Sequence, residues 1–303
     1  MLGDIMKKVL LTGVDGFTGK YVAKELTKKG YQVIGLVYKH AGEGQVACDL
    51  TDKQAVKNCL VEFKPDYVIH LAALSFVGYA DQRAFYDVNV FGALNILEMA
   101  KEIGISFKKV IFASSANIYG NPIAIEKIDE SVAPAPVNHY AMSKLAMEHM
   151  AKLWFDDCPL LITRPFNYTG PGQAEQFLIP KIVSHFKKKA AEIELGNIDV
   201  YRDFSDVRDI AKAYVRLLES DARSEIVNLC SGNVSSLSSI ISKMEDIAGY
   251  KINVKVNPAF VRANEIKVLG GDNSKLVFLT GFKPSITIDQ TLLDMYNANQ
   301  IID

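Results

Sequence analysis

Short apolar strands alternate with helical segments along the first half of the chain. The apolar runs are Lys8–Thr12, Tyr31–Tyr38, Asp66–Leu71, Lys109–Ala113 and Leu160–Arg164. Strands that are apolar throughout are buried on both faces, which is typical of a parallel sheet covered by helices. Helical stretches near residues 52–63, 82–103 and 140–155 separate them. The alternation predicts an α/β fold with a doubly wound parallel sheet.

The rhythm changes after Arg164. Pro165, Gly170, Pro171 and Gly172 fall within eight positions, so regular structure must break there. Beyond this break, predicted helices near 175–189, 206–219, 236–248 and 286–297 are separated by short strand candidates. We therefore predict a first domain over residues 1–165 and a smaller α/β domain over 166–303 that closes over the carboxyl ends of the sheet strands. A segment near 200–222 is a candidate to return to the first domain.

Charge and cysteine usage exclude several classes of function. Lys and Arg number 34 against 35 Asp and Glu, a formal charge of −1, so no global field recruits nucleic acid or an anionic membrane. No apolar run approaches the roughly 20 residues that span a bilayer, and no signal peptide is evident. The cysteines are scattered and show no zinc spacing: Cys48, Cys59, Cys158 and Cys230. We expect a cytoplasmic protein without a metal site.

A glycine-rich turn follows the first predicted strand. Gly13, Gly16 and Gly19 form a GxxGxxG pattern that closes the strand and opens the first helix. Glycines allow a tight turn, close backbone approach to a pyrophosphate and close packing of helix on strand. The amide groups at the helix start would then face the anion. The context predicts a dinucleotide-binding loop, with a glycine turn without a ligand as the alternative.

An acid/base pair is predicted on the helix near 140–155. Tyr140 and Lys144 are four residues apart and therefore share one helical face. A neighbouring cation favours the phenolate, so we expect Lys144 to lower the pKa of Tyr140 and make it a usable general acid. Ser115 follows the strand Lys109–Ala113, at the carboxyl edge where ligands of such sheets bind. Its hydroxyl can hydrogen-bond a substrate carbonyl.

Together these motifs resemble the short-chain dehydrogenase/reductase superfamily, and more narrowly its extended branch, which acts on nucleotide sugars. Further matches cover nearly the whole chain: Asp49-Leu50, His70–Ala73, Asn89–Ala93, Ser114–Gly120, Arg164–Asn167, Gly170–Gly172 and Arg202–Phe204. The distal half is most similar to GDP-4-keto-6-deoxy-mannose reductases and the related GDP-mannose dehydratases. The resemblance implies a Rossmann-type first domain that binds a dinucleotide and a second domain that binds a nucleotide sugar.

The resemblance also implies roles for single residues. Tyr140 would be the proton donor, Lys144 would hold the nicotinamide ribose and lower the pKa of the tyrosine, and Ser115 would orient the reacting carbonyl. Besides Tyr140 and Lys144, the implied cofactor residues are Gly13, Asp15, Gly16, Phe17, Thr18, Gly19, Lys39, Asp49, Leu50, Leu71, Ala72, Ala73 and Pro165. The implied substrate residues are Ser75, Asn117, Asn167, Lys181, Arg202, Arg262 and Glu265.

The end of the second strand bears on the choice of cofactor. An acidic residue there would accept the ribose 2′-hydroxyl of NAD, whereas a cation favours the 2′-phosphate of NADP. The sequence has no acid there, and Lys39 can offer a charge to a phosphate. We therefore expect NADP(H) rather than NAD(H), with a solvated Lys39 as the alternative.

The residues after Ser115 bear on the reaction. Dehydratases of this branch carry an acid/base pair there, but this chain has Ala116 and Asn117, so dehydration is disfavoured. We expect reduction of a nucleotide-linked 4-keto-6-deoxy sugar, with a 4-epimerase that retains NAD as the alternative and a non-catalytic dinucleotide sensor as a further one.

The family also implies a homodimer formed by the helices near 82–103 and 140–155. His70 and Asn89 are read as structural residues.

Overall fold

The computed structural model describes residues 6–75, 80–122, 127–260 and 267–298. Its strands are β1 (Lys8–Thr12), β2 (Gln32–Val37), β3 (Gln45–Ala47), β4 (Tyr67–His70), β5 (Lys109–Ala113), β6 (Leu160–Pro165), β7 (Asn167–Thr169), β8 (Glu192–Leu195), β9 (Tyr201–Asp206), β10 (Glu225–Leu229), β11 (Val234–Ser236), β12 (Asn253–Val256) and β13 (Val268–Leu269). Its α-helices are α1 (Phe17–Lys28), α2 (Lys53–Phe63), α3 (Gln82–Tyr86), α4 (Gly92–Glu102), α5 (His139–Lys152), α6 (Leu178–Lys187), α7 (Val207–Glu219), α8 (Leu237–Ala248), α9 (Ser274–Thr280) and α10 (Ile288–Asn297).

The central sheet has seven strands in the order β10-β6-β5-β4-β1-β2-β3, and each neighbouring pair is parallel. This confirms the predicted Rossmann-type α/β fold. The chain winds outward from β1 in both directions, so the switch point lies between β1 and β4. Ligands of such sheets bind in the crevice outside the carboxyl ends of the strands at this point.

Helices cover both faces of the sheet. On one face, α2, α4 and α5 bury a cluster that includes Leu10, Val68 and Phe112. On the other face, α1, α7 and α9 bury a cluster that includes Leu11 and Ile69. Successive strand residues alternate between the two clusters, as the period of two requires. Both faces are therefore apolar, which explains why the strands read as continuous hydrophobic runs.

Residues after Phe177 form a separate apolar cluster around α6, α8, α10 and β8, centred on Ile182, Phe186 and Ile240. The strands that lie outside the central sheet form a sheet of β11, β9, β13 and β7 and a parallel pair of β8 and β12. Helix α7 packs against α1, and β10 extends the central sheet beside β6. The boundary at residue 165 remains a prediction.

One predicted helix differs from the structure, and two strands of the central sheet are additional to the predicted ones. The expected helix near 82–103 consists of α3, a π-helical segment (Asp87–Phe91) and α4. Two strands of the central sheet, β3 and β10, were not predicted as such. No helix among the described residues is long and apolar enough to cross a bilayer.

Candidate active site

The glycine loop between β1 and α1 lies at the switch point of the sheet. Gly13 has a φ of +69°, and a Cβ there would lie 3.0 Å from the backbone nitrogen of Ala72 after β4. A Cβ on Gly19 would lie only 2.0 Å from the carbonyl oxygen of Gly13. Only glycine therefore allows this turn. Gly16 is the N-cap of α1 and makes no side-chain hydrogen bond to the amide groups of the first turn.

The first turn of α1 contacts the segment that follows β6. The rings of Phe17 and Tyr168 are stacked with 6.2 Å between centroids, and the hydroxyls of Thr18 and Tyr168 are 2.8 Å apart. Tyr21 donates a hydrogen bond to the carbonyl of Pro171. These contacts join the start of α1 to the segment after β6, which leads into the second half of the chain. Tyr168 was not predicted as a site residue.

The loop after β4 is fixed by two polar side chains. Thr12 Oγ1 accepts hydrogen bonds from the amides of Leu71 and Ala72 at 3.1 and 3.0 Å. Asn89 accepts from the Leu74 amide and donates to its carbonyl and to Ser143 on α5. This agrees with the structural interpretation of Asn89. A π-helical segment at this residue is the kind of irregularity that helices often carry near functional sites.

Ser115 and Tyr140 meet at the carboxyl edge of the sheet. Ser115 caps the 3₁₀ turn Ala116–Tyr119 by accepting the Asn117 amide at 3.2 Å, and its side chain lies near enough to the Tyr140 hydroxyl to act on the pKa of that phenol. Tyr140 lies in the first turn of α5, which Asn138 caps by accepting from the Ala141 amide at 2.8 Å.

Lys144 is buried one turn along α5 from Tyr140. Its Nζ donates to the carbonyl of Ala113, the last residue of β5, at 2.7 Å. Burial lowers the pKa of Lys144 to about 8, and the negative charge of Glu148 opposes that shift. The ammonium is therefore fixed beside the strand end from which Ser115 follows.

The expected lowering of the Tyr140 pKa by Lys144 is not found in the structure. Burial raises the pKa of Tyr140 to about 12, and the neighbouring Ser115 side chain opposes this rise. Desolvation disfavours the phenolate more than the surroundings favour it. Tyr140 is accordingly a protonated donor here, and the pair is set to give a proton rather than to take one.

The other predicted cofactor residues line the same edge of the sheet. Pro165 ends β6, and Asp49 and Leu50 follow β3, where Asp49 accepts from the Thr51 amide. Asp15 is exposed beside the glycine loop, and Leu71, Ala72 and Ala73 are half-buried after β4. Lys39 is exposed after β2, with its Nζ 4.7 Å from the ring centroid of Tyr38.

The predicted substrate residues are more dispersed. Asn117 is half-buried beside Ser115, Ser75 and Asn167 are exposed, and Lys181 on α6 donates to the carbonyl of Glu194 at 2.7 Å. Arg202 on β9 donates to the carbonyls of Tyr201 and Lys267. Arg262 and Glu265 lie outside the described residues.

A buried ion pair joins helix α5 to strand β6. Arg164 on β6 binds Glu148 on α5 through two hydrogen bonds of 2.9 and 2.7 Å, and it also donates to the Tyr119 hydroxyl. Tyr119 in turn donates to Asn228 on β10 at 2.7 Å. The spacing of the sequence does not predict that Glu148 and Tyr119 are the partners of Arg164. The arginine itself belongs to the segment Arg164–Asn167, which matches the family. Among the described residues, no cluster of acidic, histidine or cysteine side chains could hold a metal ion.

A family model for GDP-mannose 4,6-dehydratase matches residues 10–295. The chain belongs to this family. It is 36% identical over 299 residues to the GDP-6-deoxy-D-talose 4-dehydrogenase of Aggregatibacter actinomycetemcomitans, covering 98% of this chain and 99% of that protein. It is 33% identical over 296 residues to the GDP-6-deoxy-D-mannose reductase of Pseudomonas aeruginosa, covering 94% and 95% of the two chains. The family thus contains enzymes named as reductases and dehydrogenases as well as dehydratases.

Solved structures of related proteins have the same fold. The chain of an epimerase candidate from Burkholderia cenocepacia J2315 is 43% identical, with a TM-score of 0.90 over 96% of this chain and 97% of that one. The RMD protein of Pseudomonas aeruginosa, solved in complex with NADPH, is 32% identical, with a TM-score of 0.85 over 96% and 98% of the two chains. These neighbours confirm that this family member has the short-chain dehydrogenase/reductase fold.

Proposed function

We propose that the chain is a reductase of a GDP-linked 4-keto-6-deoxy sugar. Its family makes it an NAD(P)-dependent oxidoreductase of nucleotide sugars. The observation that carries the narrower proposal is the placement of Ser115 beside Tyr140 and the buried Lys144, with Ala116 and Asn117 as the residues that follow Ser115. This arrangement supports proton transfer to a carbonyl oxygen and offers no pair to remove a proton from a sugar carbon.

A nicotinamide dinucleotide fits the switch-point crevice. The close approach of Gly13, Gly16 and Gly19 leaves the amide end of α1 open to a pyrophosphate. Asp15, Phe17 and Thr18 border that end, while Asp49, Leu50 and Lys39 border the adenosine side. Leu71, Ala72, Ala73 and Pro165 would flank the nicotinamide half. When bound in its reduced form, the cofactor supplies the hydride that adds to C4 of the sugar.

Tyr140 donates the proton to O4 in this proposal. Its high pKa keeps the hydroxyl protonated until negative charge develops on the substrate oxygen. Ser115 lies beside Tyr140 and can donate to the same substrate oxygen, and positioned donors of this type contribute much of the rate of carbonyl reactions. Lys144 would contact the nicotinamide ribose and carry positive charge beside the tyrosine during proton transfer.

The nucleotide sugar would lie between the sheet edge and the second half of the chain. Arg202 and Asn167 are proposed to bind the diphosphate, since a guanidinium can bind it through two parallel hydrogen bonds. Lys181 would add a second cation. Arg262 and Glu265 are proposed to bind the nucleotide phosphate and ribose. Ser75 and Asn117 are proposed sugar contacts.

NADP(H) is the proposed cofactor form, because Lys39 is exposed at the end of β2 and no acid accompanies it. The RMD protein, a relative at 32% identity, was solved with NADPH, which is in line with this choice. We also propose a homodimer through α4 and α5 and a cytoplasmic location. The dinucleotide domain would span 1–165, joined by α7 and β10, and the nucleotide-sugar domain would take most of 166–303.

Cofactor consumption tests the reductase proposal. Purified protein is incubated with NADPH and GDP-4-keto-6-deoxymannose, and the absorbance of the reduced cofactor is followed. We expect loss of absorbance in step with product, and a loss of turnover of at least about 100-fold in Tyr140→Phe with cofactor binding unchanged. Unchanged absorbance with a panel of such ketosugars would refute the proposal.

The epimerase alternative makes a different prediction. It requires dinucleotide that remains bound through purification and interconversion of two sugar stereoisomers without net consumption. The related structure from Burkholderia cenocepacia is described as that of an epimerase candidate, which supports this alternative. A non-catalytic sensor would bind the dinucleotide and turn over none of these substrates.

A further inference from the structure

His70 is a buried histidine at the end of β4 that the proposed reaction does not use. Its side chain is 1% exposed, and its ring lies 5.2 Å from that of Phe112 on β5. Its Nδ1 lies 2.9 Å from Thr12 Oγ1, whereas its Nε2 has no hydrogen-bond partner among the described residues. An unpaired buried nitrogen costs free energy, so this atom calls for an explanation.

The hydrogen bonds of Thr12 fix the tautomer of His70. Thr12 Oγ1 already accepts from the amides of Leu71 and Ala72, which occupy both of its lone pairs. Its hydroxyl hydrogen must therefore point to His70 Nδ1, which accepts it. Burial and the nearby charge of Lys144 lower the pKa of His70 to about 3, so the ring is neutral. The remaining proton is on Nε2, which is a donor without an acceptor.

A second unpaired polar atom lies on the same face of the sheet. Thr12, His70 and Phe112 are in register across β1, β4 and β5, and their neighbours two residues back belong to the cluster under α5. Ser114 is two residues beyond Phe112 and points to that same side. Its hydroxyl is 4% exposed and likewise has no partner among the described residues.

Lys144 comes to this position from α5. Its Nζ bonds to the carbonyl of Ala113, between Phe112 and Ser114 in the strand. An ammonium has only donors, and His70 Nε2 is also a donor, so the two cannot bond directly. An oxygen between them can accept from both. Ser114 Oγ is available as the acceptor for a proton of that oxygen.

We infer that one buried water molecule is bound between His70 Nε2, Ser114 Oγ and the Lys144 ammonium, and that His70 positions Lys144 through it. The water accepts from His70 and Lys144 and donates to Ser114, which satisfies all three groups. A buried water of this kind needs two to four polar partners, and these three groups would supply them. His70 is thus a positioning residue: it sets the direction of the ammonium relative to Tyr140 and touches no reacting atom.

This inference rests on the proposed function only for its kinetic consequence. The water itself is tested by a crystal structure of the unliganded protein at a resolution that shows ordered waters, and the tautomer by the nitrogen shifts of the His70 ring in NMR. We expect one water within hydrogen-bonding distance of all three atoms and a proton on Nε2. A dry site, or a proton on Nδ1, would overturn the inference whether or not the enzyme is a reductase.

The kinetic consequence is tested with matched variants. His70→Phe keeps a ring against Phe112 and removes both nitrogens, and Ser114→Ala removes the hydroxyl alone. We expect each to lower kcat on the order of tenfold while the KM of the sugar stays within about twofold, because the sugar does not contact the displaced ammonium. His70→Gln, whose amide can donate to the water, should recover most of the loss.

The control is Ser184→Ala, which removes another buried serine hydroxyl, on α6, whose apolar residues belong to the separate cluster of the second half. It should leave kcat unchanged. A folded His70→Phe with wild-type kcat would overturn the positioning role, as would equal losses in the glutamine and phenylalanine variants. A wild-type protein without reductase activity would instead refute the proposed function and leave the crystallographic and NMR results to decide the water site.

Discussion

Replacing His70 with glutamine should flatten the acid dependence of folding stability. In the unfolded chain this histidine takes up a proton as the pH falls through its ordinary pKa of 6.5, whereas in the folded chain burial and Lys144 hold the pKa at about 3. Between these values the unfolded state binds more protons, so the free energy of unfolding falls as the pH falls. Above about pH 7.5 the histidine is neutral in both states and the effect is absent.

The size of the effect follows from the proton difference. One full proton corresponds to about 1.4 kcal/mol for each pH unit, so lowering the pH from about 7.5 to about 5 should remove about 2 kcal/mol of stability through His70 alone, because the unfolded histidine takes up its proton gradually around pH 6.5. The assay is urea unfolding of wild type and His70→Gln at several pH values across this window. Acidic groups that also titrate are common to both proteins and cancel in the comparison.

The two plots of unfolding free energy against pH should differ in slope by about one proton near pH 5 and become parallel above about pH 7.5. Their vertical offset is a separate quantity, because glutamine also changes the packing against Phe112. Parallel plots throughout the acid window would refute the assignment of a neutral buried histidine at this position.

Three further changes probe the loop, the ion pair and the cofactor. Gly19→Ala should abolish dinucleotide binding measured by fluorescence titration, since its Cβ would lie 2.0 Å from a carbonyl oxygen of the loop; a normal Kd would contradict the loop geometry. Glu148→Gln should cost about 3–5 kcal/mol in chemical denaturation by leaving the Arg164 charge buried and unpaired, against less than about 1 kcal/mol for the half-exposed Glu98→Gln. Lys39→Ala should raise the KM of NADPH and leave that of NADH unchanged; equal effects on both would remove Lys39 from the 2′-phosphate site.

The sequence was sufficient for the parts of the fold that follow from local pattern. Five apolar runs correspond to five of the seven strands of the central sheet, because a strand buried on both faces has no polar position. The pattern could not reveal β3, which is three residues long, or β10, which comes after a long stretch of the second half. Pairing of β10 with β6 depends on tertiary contacts, and no local property of Glu225–Leu229 distinguishes it from an edge strand elsewhere.

The candidate site likewise combines features that local sequence pattern predicts with features that depend on tertiary contacts. The spacing of Tyr140 and Lys144 predicted one helical face, and both are on α5 beside the strand end that carries Ser115. The direction of the tyrosine pKa shift could not be read from spacing, because it depends on how deeply the phenol is buried. The partners of Arg164 were equally hidden: Glu148 and Tyr119 are 16 and 45 residues away in the chain.

The origin of the hydrogen added at C4 is the most direct test of the account. NADPH that carries deuterium at the transferable position of its nicotinamide is reacted with the GDP-4-keto-6-deoxy sugar, and the product is examined by NMR. Reduction with Tyr140 as proton donor predicts one deuterium at C4 for each cofactor oxidised and an exchangeable proton on O4. Product without deuterium at C4, or stereoisomers formed with no cofactor oxidised, would contradict it.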